Sequence, residues 1–313
     1  MKTIEKIGEF GLIEFIRKKT SKGKSVLVGI GDDAAIVRAS RRYQLFATDL
    51  LVENVDFSFR TATPEQIGRK ALAINLSDIA AMGGSPESAM VGLVIPRRTK
   101  FEVLDQFYRG MLKLAKEFGV SIVGGDLSRG PCWMIAVSIF GNLPFGKGVL
   151  RKGARPGDLI CVTGDLGGSI ARKHLVFVPR VREGRFLAKT GAHAMIDISD
   201  GLIQDLTHVL HASKVGGELW LEKIPVSRTA DQISRGNAKK ALLHALTDGE
   251  DFELLFTISE RRFKRLKLLW QRRFQTQISV IGRIVSGKSK LFFVRDSRKV
   301  HLSLRKMGYQ HFA

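Results

Sequence analysis

Cysteine is almost missing from this chain: its 313 residues include two, Cys132 and Cys161. Two thiols cannot build a disulfide framework or a cysteine-based zinc site. Long apolar runs are missing too. A membrane helix needs about 18 consecutive apolar residues, and the longest candidate, residues 132–145, is broken by Ser138, Asn142 and Pro144. The opening residues 1–6 lead into a mixed amphipathic pattern without the apolar core of a signal peptide. The seven histidines show no HExxH or other ligand spacing, and His208 and His211, three apart, suit a helix surface. There is no GxGxxG fingerprint and no GxSxG nucleophile elbow. Residues 141–148 have the spacing of a Walker A loop, but Gly148 stands where a hydroxyl would hold Mg²⁺, so a turn is expected. These absences lead to the expectation of a reduced, cytoplasmic protein with no membrane partner.

Acid is the scarce charge. Thirty Asp+Glu face 51 Lys+Arg, for a net charge of +21. So basic a chain invites a nucleic-acid reading. The 44% apolar content is that of an ordinary globular protein. The length suits two domains. The turn-rich stretch 141–157 places their boundary near residue 145, giving domains 1–145 and 146–313. Helical periodicity predicts helices over 5–19, 63–82, 99–118 and 201–212, and a basic one within 261–274. Thr63, Pro64 and Gln66 form a helix-start signature. Apolar runs predict strands at 26–29, 34–37, 43–47, 87–95, 120–123, 134–140, 159–163, 194–198, 252–258 and 278–284.

Ten of the sixteen aspartates fall in short runs with Gly, Ser or Thr. The runs are Gly31-Asp-Asp33, Thr48-Asp49, Ser77-Asp78, Gly125-Asp126, Gly164-Asp165, Asp197–Gly201 and Thr247–Asp251. Most follow an apolar strand, so turns are expected to carry them. A carboxylate at a strand end, beside a glycine that admits close approach, suits a hard cation or a phosphate bridged by one. Asp and Gly also favour turns for purely local reasons. If the carboxylates converge, their repulsion requires cations. With no cysteine or histidine in these runs, Mg²⁺ or a similar ion is indicated.

These runs, in this order, resemble the thiamine-monophosphate kinases, part of an ATP-binding superfamily that includes aminoimidazole ribonucleotide synthetase. The matching stretches are Gly29–Ala35, Thr48-Asp49, Lys70–Gly83, Gly124–Pro131, Arg151–Asp158, Ile196–Leu202, Gly249–Glu253 and Gly308–Phe312. The resemblance implies transfer of the ATP γ-phosphoryl group to the phosphate of thiamine monophosphate. Phosphoryl transfer asks a protein mainly for positioning and charge neutralisation, which suits a chain with no covalent nucleophile. By resemblance, Asp33, Asp49, Asp78, Asp126, Asp197 and Asp200 are Mg²⁺ ligands, and Thr48 adds an oxygen. Among them, Asp33, Asp49, Asp126 and Asp200 carry catalysis. Gly125, Asp126, Arg151 and Ser199 fall where the family contacts ATP. Asp56, Glu250 and Tyr309 fall on the acceptor side. The implied fold is a two-domain α+β one: an N-terminal α/β domain whose strands form an intersubunit barrel in a homodimer, and a C-terminal α+β domain.

The sequence departs from the family at Asp56, where histidine is common. An aspartate there repels an incoming phosphate unless protonated or metal-bound. It could instead be an extra cation ligand or a solvated loop residue. Ala47 stands where many relatives have Ser or Thr, and residues 167–182 are shorter than the family pattern. Among sister enzymes, selenophosphate synthetase needs a reactive Cys or selenocysteine near the N-terminus, and nothing before Cys132 serves. The hydrogenase-maturation relative ends in a cysteine-bearing tail, whereas this chain ends in Gln310–Ala313. Another phosphorylated acceptor, or a basic nucleic-acid-binding relative, are the remaining alternatives. The latter would rest on the basic segment 261–274, which a core-packed helix with a solvated basic face also explains.

Overall fold

The computed structural model describes residues 14–20, 26–28, 36–37, 43–146, 148–287, 289–302 and 307–309. Asp33 and most of the predicted 5–19 helix lie outside the described residues; residues 14–19 are helical. Strands β1 (Val26–Val28) and β2 (Ile36–Val37) pair antiparallel. The chain divides into two compact units. One is Met1–Ile79 with Gly84–Pro144; the other is Ala80–Gly83 with Phe145–Ala313. The architecture is α+β, as the resemblance implied. Among the described residues no helix is long and apolar enough to cross a membrane.

The N-terminal unit holds a four-stranded sheet made of β3 (Gln44–Val52), β4 (Ser85–Ile95), β5 (Ser121–Arg129) and β6 (Met134–Asn142), ordered β3-β6-β4-β5. The β4–β5 pair is parallel, and the Phe101–Phe118 helix connects its strands. That helix buries Leu104, Phe107, Met111 and Leu114, the 3–4 spacing of one helical face. Each such side chain contributes roughly 1.5–3 kcal/mol of burial. The Pro64–Ala81 helix starts as its sequence dictates. Gln66 N donates to Thr63 Oγ1 at 3.2 Å, and Thr63 N donates to Gln66 Oε1 at 2.9 Å. The two helices pack backbone to backbone at Gly68 and Gly110. A Cβ at Gly68 would fall 1.9 Å from the Phe107 carbonyl.

Sheet register sorts the side chains by face. Ala89, Val91, Leu93 and Ile95 are buried on β4, whereas Met90 is exposed. The buried face is the one that meets the Pro64–Ala81 helix: a Cβ at Gly141 would lie 3.3 Å from Ile79 Cδ1. The opposite face is open and apolar, with Phe46 67% and Leu50 59% exposed.

The C-terminal unit holds a seven-stranded sheet. Its strands are β7 (Leu159–Thr163), β8 (Ala194–Asp197), β9 (Gly216–Trp220), β10 (Leu254–Ile258), β11 (Ile278–Val285), β12 (Leu291–Arg295) and β13 (Arg298–Val300). Their order is β13-β12-β9-β11-β7-β10-β8. Every residue of β7 and β10 is buried, so both strands read as continuous apolar runs. Strands β9, β12 and β13 were not predicted, although β12 opens with four consecutive apolar residues, Leu291–Val294. The basic helix is Glu260–Gln271. Leu266 and Trp270 are buried, Trp270 lies against Phe186 and Phe274, and its Nε1 donates to the Thr276 carbonyl at 2.6 Å. Arg261, Lys264, Arg265 and Lys267 are exposed. This is a core-packed helix with a solvated basic face.

Candidate active site

In the N-terminal unit Thr48, Asp49, Gly125 and Asp126 lie on strands, not in the turns their composition suggested, and Asp78 lies in the helix predicted over 63–82. Thr48 and Asp49 are inside β3, Asp78 is inside the Pro64–Ala81 helix, and Gly125 and Asp126 are inside β5. Turn-favouring residues sit there because the sheet needs small residues at close approaches. A Cβ at Gly125, φ 159°, would fall 1.9 Å from the Val91 carbonyl of the neighbouring strand. Two cross-sheet rows follow from the pairing. Asp49, Val137, Val91 and Gly125 share one row, and Leu50, Ala136, Gly92 and Asp126 share the next. Asp49 therefore faces the helix-covered side, whereas Thr48 and Asp126 belong to the open face. Thr48 Oγ1 lies 3.0 Å from Ser138 Oγ and donates to the Val137 carbonyl at 3.1 Å. Asp49 and Asp126 occupy opposite edge strands, three inter-strand steps or roughly 14 Å apart along the sheet. Asp126 is exposed and Asp78 half-buried.

Asp56 is neither a loose loop residue nor an open carboxylate. Its Oδ2 accepts from Val52 N at 2.8 Å, and its carbonyl accepts from Lys70 Nζ at 2.9 Å. It closes the turn after β3, with the buried Lys70 beneath.

The C-terminal unit gathers its predicted residues in three segments laced together by backbone bonds. Glu250 N donates to Ser199 O at 2.7 Å, Phe252 N to Ile198 O at 2.8 Å and Ile198 N to Glu253 O at 2.8 Å. Tyr309 N donates to Asp200 O at 2.9 Å. The lacing brings Asp197, Ser199, Asp200, Glu250 and Tyr309 into one cluster. It also explains why β10 starts at Leu254 and not at the predicted Phe252. Glu250 and Phe252 take left-handed backbone, φ 64° and 51°, turning their N–H groups onto the 197–201 loop instead of into the sheet. Such conformations cost about 1–3 kcal/mol each and persist only where the surroundings hold them. Gly249 is required at this seam, since a Cβ would meet Ser199 O at 2.5 Å.

A buried polar network holds the loops. Glu253 takes a bidentate pair from Arg180, at 2.8 and 2.7 Å, and accepts from Thr163 Oγ1 at 2.7 Å. Lys173 Nζ lies 3.2 Å from it. Burial pushes the Glu253 carboxyl up, but Arg180 and Lys173 outweigh burial and hold it below the usual range. Asp251 accepts both its oxygens' worth from Gly167 N, at 3.0 and 2.9 Å, and also bonds Ser169 Oγ. Burial raises its carboxyl to about 7.

Asp205 was not singled out from sequence. An acidic residue in a first helical turn is ordinary there, which hid it. It is 1% exposed, and its Oδ2 accepts from both Asp200 N and Gly201 N at 3.1 Å. Burial first, then repulsion from Asp197 and Asp200, pushes its carboxyl up to about 8. Ligand atoms of Asp200, Asp205 and His208 lie within 4.8 Å of one another. Two carboxylates and an imidazole this close, with Asp197 adding its repulsion at Asp205, are a donor set suited to a cation.

Arg151 is exposed and stands apart. Its carbonyl accepts from Ser213 Oγ at 3.3 Å, at the far end of the Leu202–Ser213 helix from Asp200. At ~1.5 Å per residue the two ends are roughly 18 Å apart.

The two-sheet α+β fold and these carboxylates define a class. Residues 31–143 match the family model described as AIR synthase related protein, N-terminal domain. A thiamine-monophosphate kinase of Rhodopirellula baltica is 41% identical over 264 residues, covering 80% of this chain and 82% of that one. The crystal structure of thiamine-monophosphate kinase from Stenotrophomonas maltophilia superposes with a TM-score of 0.82 at 31% identity, over 94% of this chain and 98% of that one. A structure described as AaThiL complexed with AMPPCP and TMP superposes at 0.75 with 31% identity, over 100% and 99%. This chain belongs to the thiamine-monophosphate kinase family.

Proposed function

We infer that this chain uses ATP to phosphorylate thiamine monophosphate, giving thiamine diphosphate and ADP. The observation that carries the reading is the likeness, over essentially the whole chain, to a structure solved with an ATP analogue and TMP. Purified protein given ATP, Mg²⁺ and thiamine monophosphate forms thiamine diphosphate on this account. Absence of product at high enzyme concentration would sink it.

The cation set of the C-terminal unit is Asp197 and Asp200, with Ser199 beside the nucleotide. In the N-terminal unit the proposed ligands are Thr48, Asp49, Asp78 and Asp126, with Gly125 beside the nucleotide; Asp49 and Asp126, on opposite faces and opposite edge strands, would serve different ions. By the same resemblance Asp33, which lies outside the described residues, is a further ligand. Mg²⁺ bound by these carboxylates would neutralise phosphate charge and orient the transferring group. The protein's own contribution is positioning. Glu250 and Tyr309 face the thiamine part, where a carboxylate and an aromatic face suit a cationic ring. Asp56 braces the turn on the acceptor side. Arg151, which the resemblance assigns to ATP, lies apart from the Asp200 cluster, so its donor fork would meet the nucleotide away from that cluster.

The working form is a homodimer in the cytoplasm, with the N-terminal sheets joined. Support for the dimer comes from the open sheet face, where Phe46, Leu50 and Met90 are exposed on strands whose other face is covered. Phe46→Glu with Leu50→Glu should halve the mass measured by light scattering. An unchanged mass would remove that face from the interface.

A further inference from the structure

Gln204 lies in the first turn of the Leu202–Ser213 helix, one turn after Asp200. Its Nε2 donates to Asp200 Oδ2 at 3.2 Å and to the Tyr309 carbonyl at 2.9 Å. Both partners are acceptors, so the amide has one sensible orientation and both its N–H groups are used. Two further contacts converge on the same point. Tyr309 N donates to the Asp200 carbonyl at 2.9 Å. Gly308 lies so close that a Cβ would come 2.5 Å from Asp200 O and 2.7 Å from Gln204 Oε1. On the far side of Asp200, Asp205 already fixes the backbone N–H groups of Asp200 and Gly201.

We propose that Gln204 is a positioning residue that ties the carboxylate of Asp200 to the Gly308–Tyr309 segment, so that cation binding and acceptor placement are coupled through one side chain. This rests on the reading above for the roles of Asp200 and Tyr309. A side chain that orients a ligand carboxylate typically changes affinity 10–100-fold when removed. Tyr309 loses its carbonyl partner in the same substitution, so the two effects arrive together.

The test has two arms. In metal-free protein, Gln204→Ala should speed amide exchange in a peptide containing Gly308 and Tyr309, and Gly308→Ala should do the same. This arm is independent of the reaction and stands even if thiamine monophosphate proves not to be the acceptor. Unchanged exchange in both variants overturns the tie. In the kinetic arm, Gln204→Ala should raise the half-saturating Mg²⁺ concentration and the acceptor KM each by about tenfold, with a smaller change in kcat. Gln204→Glu keeps the length but loses the donors, so it should behave like the alanine variant. Gln204→Ala and Gly308→Ala break the same tie, so their combined effect should fall well short of the sum. Faster exchange with unaltered kinetics, or additive kinetic losses, overturns the positioning role.

Discussion

The two units hold their site residues by different means. The N-terminal unit places Thr48, Asp49, Asp78 and Asp126 on strands and a helix, where register and pleat decide what each side chain faces. The C-terminal unit places Asp197, Ser199, Asp200, Glu250 and Tyr309 on irregular segments, which need backbone lacing and a buried ionic network. Carboxylates on regular elements can therefore lose their charge without loss of fold. The C-terminal loops have no such separation, because the groups that shape them are themselves buried and charged.

The largest effect should come from the network. Glu253→Ala removes the bidentate partner of half-buried Arg180 and one ion pair of Lys173, leaving Arg180 with Thr276 and Glu183 and Lys173 with Asp165, and should destabilise the protein by about 1.5–3 kcal/mol. Denaturant melts measure it; a loss below about 1 kcal/mol would mean the loops hold without the network. Next comes a purely chemical loss. Asp126→Asn sits on an exposed strand position, so turnover should fall at least about 100-fold while the melt stays nearly fixed. Unchanged turnover would remove Asp126 from the site.

A smaller effect separates the units by pH. Asp251 has its folded carboxyl raised to about 7, above the ordinary value near 4. A raised carboxyl contributes stability that is full below about pH 4 and is lost as pH rises through 7. The stability of metal-free wild type should thus decline between about pH 4 and 7, and Asp251→Asn should flatten part of that decline. Parallel curves for the two proteins would show that Asp251 stays ionised throughout.

The same comparison shows what was readable in the sequence. The Thr63–Gln66 helix start, the apolar helix faces and the central strands follow from local chemistry, which is why they were legible. The motif order pointed to the family because small residues and carboxylates recur at fixed chain positions. Placement was harder. Asp126 looked like a turn residue because Gly124 and Gly125 precede it, yet Gly125 serves a close strand pairing. Gln204 and Asp205 were silent because a polar first helical turn is ordinary. Their meaning depends on Asp200 and Tyr309 meeting across 109 residues of chain, a long-range contact that no local pattern encodes.

The central claim is that the acceptor is thiamine monophosphate. Purified protein with ATP and Mg²⁺, offered a panel of phosphorylated small molecules at equal concentration, tests it in one experiment. Thiamine diphosphate should be the dominant product, formed with matching ADP. Preferred phosphorylation of any other acceptor, or ADP release without thiamine diphosphate, would contradict the account.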